Sequence, residues 1–110
     1  MMFTKGKTFS NFPFRVLCMN VENEVGLKAG FSASTKNFKK ATDRNKIKRL
    51  MREAYRMQKN DLEVQLSLTN KAVNIFFIYT GKEVPKYDLI FEKTGNVLKR
   101  IINLTDENFK

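Results

Sequence analysis

The run from Arg44 to Arg56, Arg-Asn-Lys-Ile-Lys-Arg-Leu-Met-Arg-Glu-Ala-Tyr-Arg, is where residue type and spacing point to chemistry. At about 100° per residue, a helix through this run gathers Ile47, Leu50, Met51, Ala54 and Met57 on one arc. Arg44, Asn45, Lys48, Arg49, Arg52, Arg56 and Lys59 fill a second arc beside it. Glu53 is the only acid between Arg44 and Lys59. Solvated helix surfaces mix both signs, because opposite charges at i,i+4 attract and like charges repel. A face this one-sided calls for counterions from outside the chain, and phosphate is the obvious source.

The charge of the whole chain is arranged around this run. From Lys36 to Lys59, ten Lys/Arg face Asp43 and Glu53, a local net charge of +8. The other 86 residues contribute +2 to the total of +10. That concentration is the electrostatic footprint of a polyanionic partner.

Several function classes are excluded or disfavoured. The chain has no His, so the usual base for serine- or cysteine-type catalysis is missing. A single Cys18 cannot form an internal disulfide, which fits a reducing compartment, and its place in the apolar run Phe14–Met19 marks it as a buried structural thiol. No four-ligand zinc spacing occurs. The longest apolar stretch, Ala72–Tyr79, is too short to span a bilayer, and no signal-peptide pattern opens the chain. The expectation is a soluble, cytoplasmic protein. With 110 residues, 42% hydrophobic content and ten Phe, it is expected to form one domain, 1–110, around a single core.

The elements that must position the cationic run follow from pattern and punctuation. Lys7–Asn11 is a candidate short strand, and Phe12–Asn20 is a strand with Pro13 near its start. Val25–Ser34 alternates partially and is expected to pair antiparallel with Phe12–Asn20 across the polar connection Glu22-Asn23-Glu24. Thr35–Asp43 reads as a basic loop, with Thr42 or Asp43 as N-cap of the cationic helix, which extends to about Asn60. Ala72–Tyr79 reads as a strand buried on both faces. After a turn at Thr80–Val84, Pro85 suits the first turn of a final helix in which Tyr87, Ile90, Phe91, Val97, Leu98, Ile101 and Ile102 recur at helical spacing. Gly95 interrupts that helix at a cost of about 1 kcal/mol relative to Ala. The order predicts an α+β, two-layer sandwich with helices against one small sheet.

On charge alone, a solvated basic face and a membrane-surface helix compete with nucleic acid. The apolar arc is needed for the core and carries no Trp or Phe wedge, which disfavours the membrane. A DNA-reading helix-turn-helix needs a helix three or four residues upstream, whereas a strand and a Lys/Asn-rich loop precede this one. RNA is preferred over DNA.

Residue order goes further. Lys36 to Arg56 closely resembles the signature of the bacterial ribonuclease P protein subunit, a Lys-rich loop leading into an Ala-x-x-Arg-Asn-Arg-x-Lys-Arg-x-x-Arg-Glu helix. The pattern matches at Ala41, Arg44, Asn45, Lys48, Arg49, Arg52 and Glu53. Phe3-Thr4-Lys5-Gly6-Lys7, Phe14 and Lys28-Ala29-Gly30-Phe31-Ser32 resemble the early strand blocks of that family. Three departures stand out. Lys46 replaces the usual Arg, keeping the charge but losing the planar fork that grips phosphate bidentately. Thr35 occupies a place often held by Lys, leaving Lys36 as the match. The family generally opens with a helix before its Phe-x-x-Gly block; with Phe3 directly after Met1-Met2, that helix is expected to be absent or truncated, the chain being cut short or its start misplaced.

The resemblance implies a ribosomal protein S5 domain 2-like fold with a mixed sheet. Its strand–helix–strand connection would be a left-handed crossover, against the strong right-handed rule. It also implies an RNA-binding subunit that assists a catalytic RNA in the endonucleolytic removal of the 5′ leader from precursor tRNA. The protein alone would be inactive. Arg44, Asn45, Lys46, Lys48, Arg49, Arg52 and Arg56, with Lys36, Lys39 and Lys40, would bind RNA. Phe3, Arg15, Leu17, Met19 and Lys36 would line a cleft for the single-stranded leader, although core packing is an alternative for Leu17 and Met19. The chain itself would supply no catalytic residue and no metal ligand, Mg²⁺ being held by the catalytic RNA and substrate. Its partners would be that RNA and precursor tRNA, with no membrane and no obligate protein partner. The rival readings are a structured-RNA-binding or ribosome-associated module without enzymatic function, and a basic helix that meets an acidic protein.

Overall fold

The computed structural model describes residues 7–21 and 26–108. Strands β1 (Lys7–Asn11), β2 (Phe14–Val21) and β3 (Gly26–Ala33) come first, then helices α1 (Ala41–Gln58) and α2 (Asn60–Thr69). Strand β4 (Ala72–Tyr79) and helix α3 (Tyr87–Asn108) follow. The four strands form one mixed sheet in the order β1-β2-β4-β3.

The most apolar strand takes a central position. β4 pairs antiparallel with β2, placing Leu17 opposite Phe76, and parallel with β3, placing Gly30 opposite Phe76. β1 pairs antiparallel with β2, with Thr8 opposite Leu17. The expected pairing of β3 with β2 is therefore corrected. The two strands do run in opposite directions, but β4 lies between them. Inserting β4 buries its Val73, Ile75, Phe77 and Tyr79 and leaves β3, poor in side-chain bulk at Gly26, Ala29 and Gly30, as the edge. The parallel β3–β4 pair is joined through α1 and α2, as a strand–helix–strand crossover requires.

All three helices contribute to a core on one side of the sheet. Phe14, Val16 and Cys18 of β2 alternate inward, all three buried. Ile47, Met51, Ala54 and Tyr55 of α1, Leu62 and Leu66 of α2, and Ile90, Val97, Leu98 and Ile101 of α3 meet them. Phe31 stacks on Phe77 with centroids 5.4 Å apart, and Phe14 meets Phe77 edge-on at 5.7 Å. Among the described residues, no helix covers the other side of the sheet. The expectation that β4 is buried on both faces is thereby corrected, because Asn74 and Phe76 are exposed.

Other boundaries shifted for identifiable reasons. The N-cap of α1 is Lys40, with extended backbone and no side-chain cap, so Thr42 and Asp43 lie inside the first turn. Asp43 still favours the positive end of the helix dipole there. Met57 falls outside the buried arc and is exposed, while Tyr55 takes an inward place. α2 had no counterpart in the sequence reading, since Leu62, Val64, Leu66 and Leu68 recur every second residue and mimic a strand. It ends at Asn70, which adopts the left-handed conformation (φ 59°). There the N–H groups of Asn70 and Lys71 close on Ser67 O and Leu66 O. In α3, a Cβ at Gly95 would lie 2.6 Å from Gln58 Oε1. Gln58 needs that space, because its Nε2 joins α1 to α3 by donating to Ala54 O and to Phe91 O at 2.9 Å.

Candidate nucleic-acid interface

α1 presents its cations on the side away from the core because its buried residues recur at helical spacing. Asn45, Lys46, Arg49, Arg52 and Arg56 are exposed, and Lys48 is half-buried. Two of the expected RNA-facing cations have structural partners. Arg44 turns back, donating from Nη1 to Phe38 O at 2.7 Å. Arg56 forks onto Glu53, with Nη2 2.7 Å from Oε2 and Nε 3.2 Å from Oε1. That pair occupies the helix's one mid-run carboxylate and holds the Arg56 guanidinium above its ordinary pKa. Lys59 pairs with Glu63 at 2.8 Å. Among the described residues, no carboxylate pairs with Lys46, Lys48, Arg49 or Arg52. The Arg52 guanidinium carbon lies 5.8 Å from the centroid of the Phe31 ring, which orients it without neutralising it.

The basic loop ahead of α1 is built by residues that charge counting overlooks. Ser34 Oγ accepts from the N–H groups of Lys36 (3.2 Å) and Asn37 (3.3 Å), and Ser34 O accepts from Phe38 N at 3.0 Å. Asn37 Nδ2 donates to Thr80 O and Gly81 O, each at 3.2 Å, and the buried Phe38 ring packs 6.0 Å from Tyr79. This framework fixes the backbone while Lys36, Lys39 and Lys40 stay exposed. The Ser-Thr-Lys-Asn turn signature was the available clue.

The uncovered face of the sheet holds the second candidate surface. Strand alternation places Arg15, Leu17 and Met19 there, opposite Ile78, Phe76 and Asn74 of β4. A shallow groove of ≈ 390 Å³ is lined by Leu17, Met19, Lys28, Gly30, Asn74 and Phe76 among others. Leu17 and Met19 thus line the groove rather than the helix-side core. Phe76, 41% exposed, was missed because its largely apolar strand reads as buried on both faces; Asn74 in mid-strand was the signal of an open face. The Phe76 ring leans over β3, where a Cβ at Gly30 would lie 2.7 Å from its Cδ1. Arg15 shares this face without lining the groove, and Lys36 belongs to the loop beside Thr80 and Gly81. Phe3 lies outside the described residues.

Among the described residues, no group of three or more His, Cys, Asp or Glu is placed to hold a metal ion. No described helix is long and apolar enough to cross a membrane.

Comparison with known proteins agrees with this architecture. The family model described as Ribonuclease P matches residues 1–102. The ribonuclease P protein component of Porphyromonas gingivalis is 32% identical over 102 residues, covering 91% of this chain and 74% of the relative. That of Chlorobium phaeobacteroides is 33% identical over 112 residues, covering 91% and 77%. The Staphylococcus aureus RNase P protein superposes with a TM-score of 0.69 at 28% identity, covering 87% of this chain and 81% of that one. On these matches, and on the cationic helix set against the mixed sheet, the chain belongs to the ribonuclease P protein family.

Proposed function

We propose that this chain is the protein subunit of a ribonuclease P holoenzyme, assisting a catalytic RNA in the endonucleolytic removal of the 5′ leader from precursor tRNA. The observation that carries this reading is the separation of two unlike surfaces. The cations of α1 lie on the helical layer, and the apolar groove opens on the far side of the sheet.

Each surface suits one RNA. Lys46, Lys48, Arg49 and Arg52, with Asn45 beside them, meet the catalytic RNA by neutralising backbone phosphates and releasing their counterions. Asn45 donates and accepts at a ribose or base edge. Arg56 joins this face more weakly, because Glu53 already holds it. The groove takes the unpaired leader, whose bases stack on Phe76 and lie along Leu17 and Met19, while Lys28 and Arg15 meet its phosphates. Holding one RNA on each layer tethers the leader to the catalytic RNA and reduces the repulsion between them.

The described residues do not form a cage for Mg²⁺, and no step is assigned to a metal on this chain. In this reading Mg²⁺ is held by the catalytic RNA and the substrate. The chain has no His to activate water, and its part is binding and orientation.

Reconstitution tests the proposal. With a bacterial ribonuclease P RNA at low Mg²⁺, the protein should promote cleavage of precursor tRNA at the mature 5′ end, and alone it should cleave nothing. EDTA-resistant cleavage by the protein alone would overturn the subunit reading. Tight binding to structured RNA without promotion of cleavage would favour a non-enzymatic RNA-binding module.

A further inference from the structure

At the end of the sheet where β4 exits, three segments are fastened together. Thr80 donates its backbone N–H (2.8 Å) and its Oγ1 (3.0 Å) to Pro13 O. Asn37 ties the basic loop to Thr80 and Gly81, and Arg44 ties that loop to the first turn of α1. The turn between β1 and β2 is thereby held in a fixed position beside the route from the sheet to the cationic helix.

Phe12 sits in that turn and is 72% exposed. It walls a recess of ≈ 430 Å³ whose other lining residues are Tyr79, Thr80, Gly81, Lys82 and Glu83. The floor is rigid. The buried Tyr79 donates its hydroxyl to Glu83 O at 2.8 Å, and Gly81 crosses so near the Tyr79 ring that a Cβ there would clash with the hydroxyl.

A lone exposed apolar side chain is ordinary on a protein surface. This one differs because of its setting. Its turn is hydrogen-bonded to β4's exit, the recess beside it is bordered by Lys82, and the loop bearing Lys36, Lys39 and Lys40 is bonded to the same Thr80–Gly81 segment. Glu83 is the only carboxylate among the lining residues. An aromatic face with Lys82 at its border and a lysine-bearing loop bonded to the same segment matches an unpaired nucleotide, whose base stacks while its phosphates take the charge. An apolar protein partner would instead favour an uncharged rim.

We propose that Phe12 is a stacking platform for an unpaired nucleobase of RNA, seated in the recess beside Lys82. This site rests on the RNA-binding reading above and adds a third contact, at the end of the sheet beside the basic loop. The base comes from the leader or from a single-stranded segment of the catalytic RNA.

The test uses the full chain with Phe12→Leu, which keeps apolar bulk and removes the ring, and Phe12→Trp, which restores a ring. Affinity is measured for ribonuclease P RNA, and for precursor and mature tRNA with the assembled complex, alongside thermal melting. Phe12→Leu should melt like the wild type and weaken one interaction by about 5- to 150-fold, with Phe12→Trp recovering it. Loss at the assembly step assigns the base to the catalytic RNA, and loss confined to precursor tRNA assigns it to the leader. Unchanged affinity of Phe12→Leu for all three RNAs overturns the site while leaving the subunit reading intact. Early melting of Phe12→Leu, with no recovery of binding in Phe12→Trp, makes the ring structural and also overturns it. If the wild type itself fails to bind ribonuclease P RNA, the subunit reading falls and takes this site with it.

Discussion

The outer face of α1 and the open face of the sheet are both accessible, yet they differ in almost every physical respect. α1 offers Lys46, Lys48, Arg49 and Arg52 with no carboxylate partner among the described residues. The groove offers Leu17, Met19 and Phe76 around Asn74 and Lys28. In the proposed function, the first surface would gain affinity from charge and tolerate small changes of geometry, at the cost of strong salt dependence. The second would gain it from stacking and apolar contact, which demand correct register and resist salt better. A protein with both can hold one RNA firmly and another selectively, and the two functions should separate under mutation.

The largest expected effect removes the scaffold that both surfaces share. Ile47 is fully buried beneath the cationic face, so Ile47→Ala should destabilise the fold by about 2–5 kcal/mol in a denaturant titration. Leu50, only partly buried against the same core, should cost less when truncated. Next come Arg49→Ala and Arg52→Ala, which should weaken binding to the catalytic RNA while melting is unchanged. Each lost phosphate contact should reduce the slope of log affinity against log salt by about 0.7–0.9. If these Arg variants melt early while Ile47→Ala does not, the assignment of the two helix faces is reversed.

The smallest effect is the most selective. Gly30→Ala places a Cβ against the Phe76 ring and must displace it, whereas α1 lies on the other layer. Precursor tRNA binding by the assembled complex should weaken by up to about 1–3 kcal/mol, the range for one stacked base, with affinity for the catalytic RNA unchanged. Equal loss of both affinities would show that the two faces act as one site.

The contrast between the faces also explains what the sequence disclosed. α1 was legible because its cations and core residues lie within a few turns of each other, and helical spacing sorts them without knowledge of the rest of the chain. Arg44 was the exception. Its bond to the Phe38 carbonyl depends on a loop whose path is set by Ser34 and Asn37. The groove was half legible, since alternation alone separates Arg15, Leu17 and Met19 from Phe14, Val16 and Cys18. Its other half comes from β4 and β3, and their adjacency is a long-range fact decided by which strand most needs burial. Phe76 was hidden for that reason, and α2 was hidden by a strand-like alternation of Leu and Val.

The assignment of one RNA to each layer can be tested by site-directed photo-crosslinking in the reconstituted complex. Cysteines replace the exposed Asn74 in the groove or Lys46 on α1, one at a time, and each carries a photoreactive group; the native Cys18 is buried and should not compete. The probe at position 74 should capture nucleotides of the precursor's leader, and the probe at position 46 should capture the catalytic RNA. Capture of the same RNA from both positions, or the reverse pairing, would contradict the division of the molecule into two RNA-binding faces.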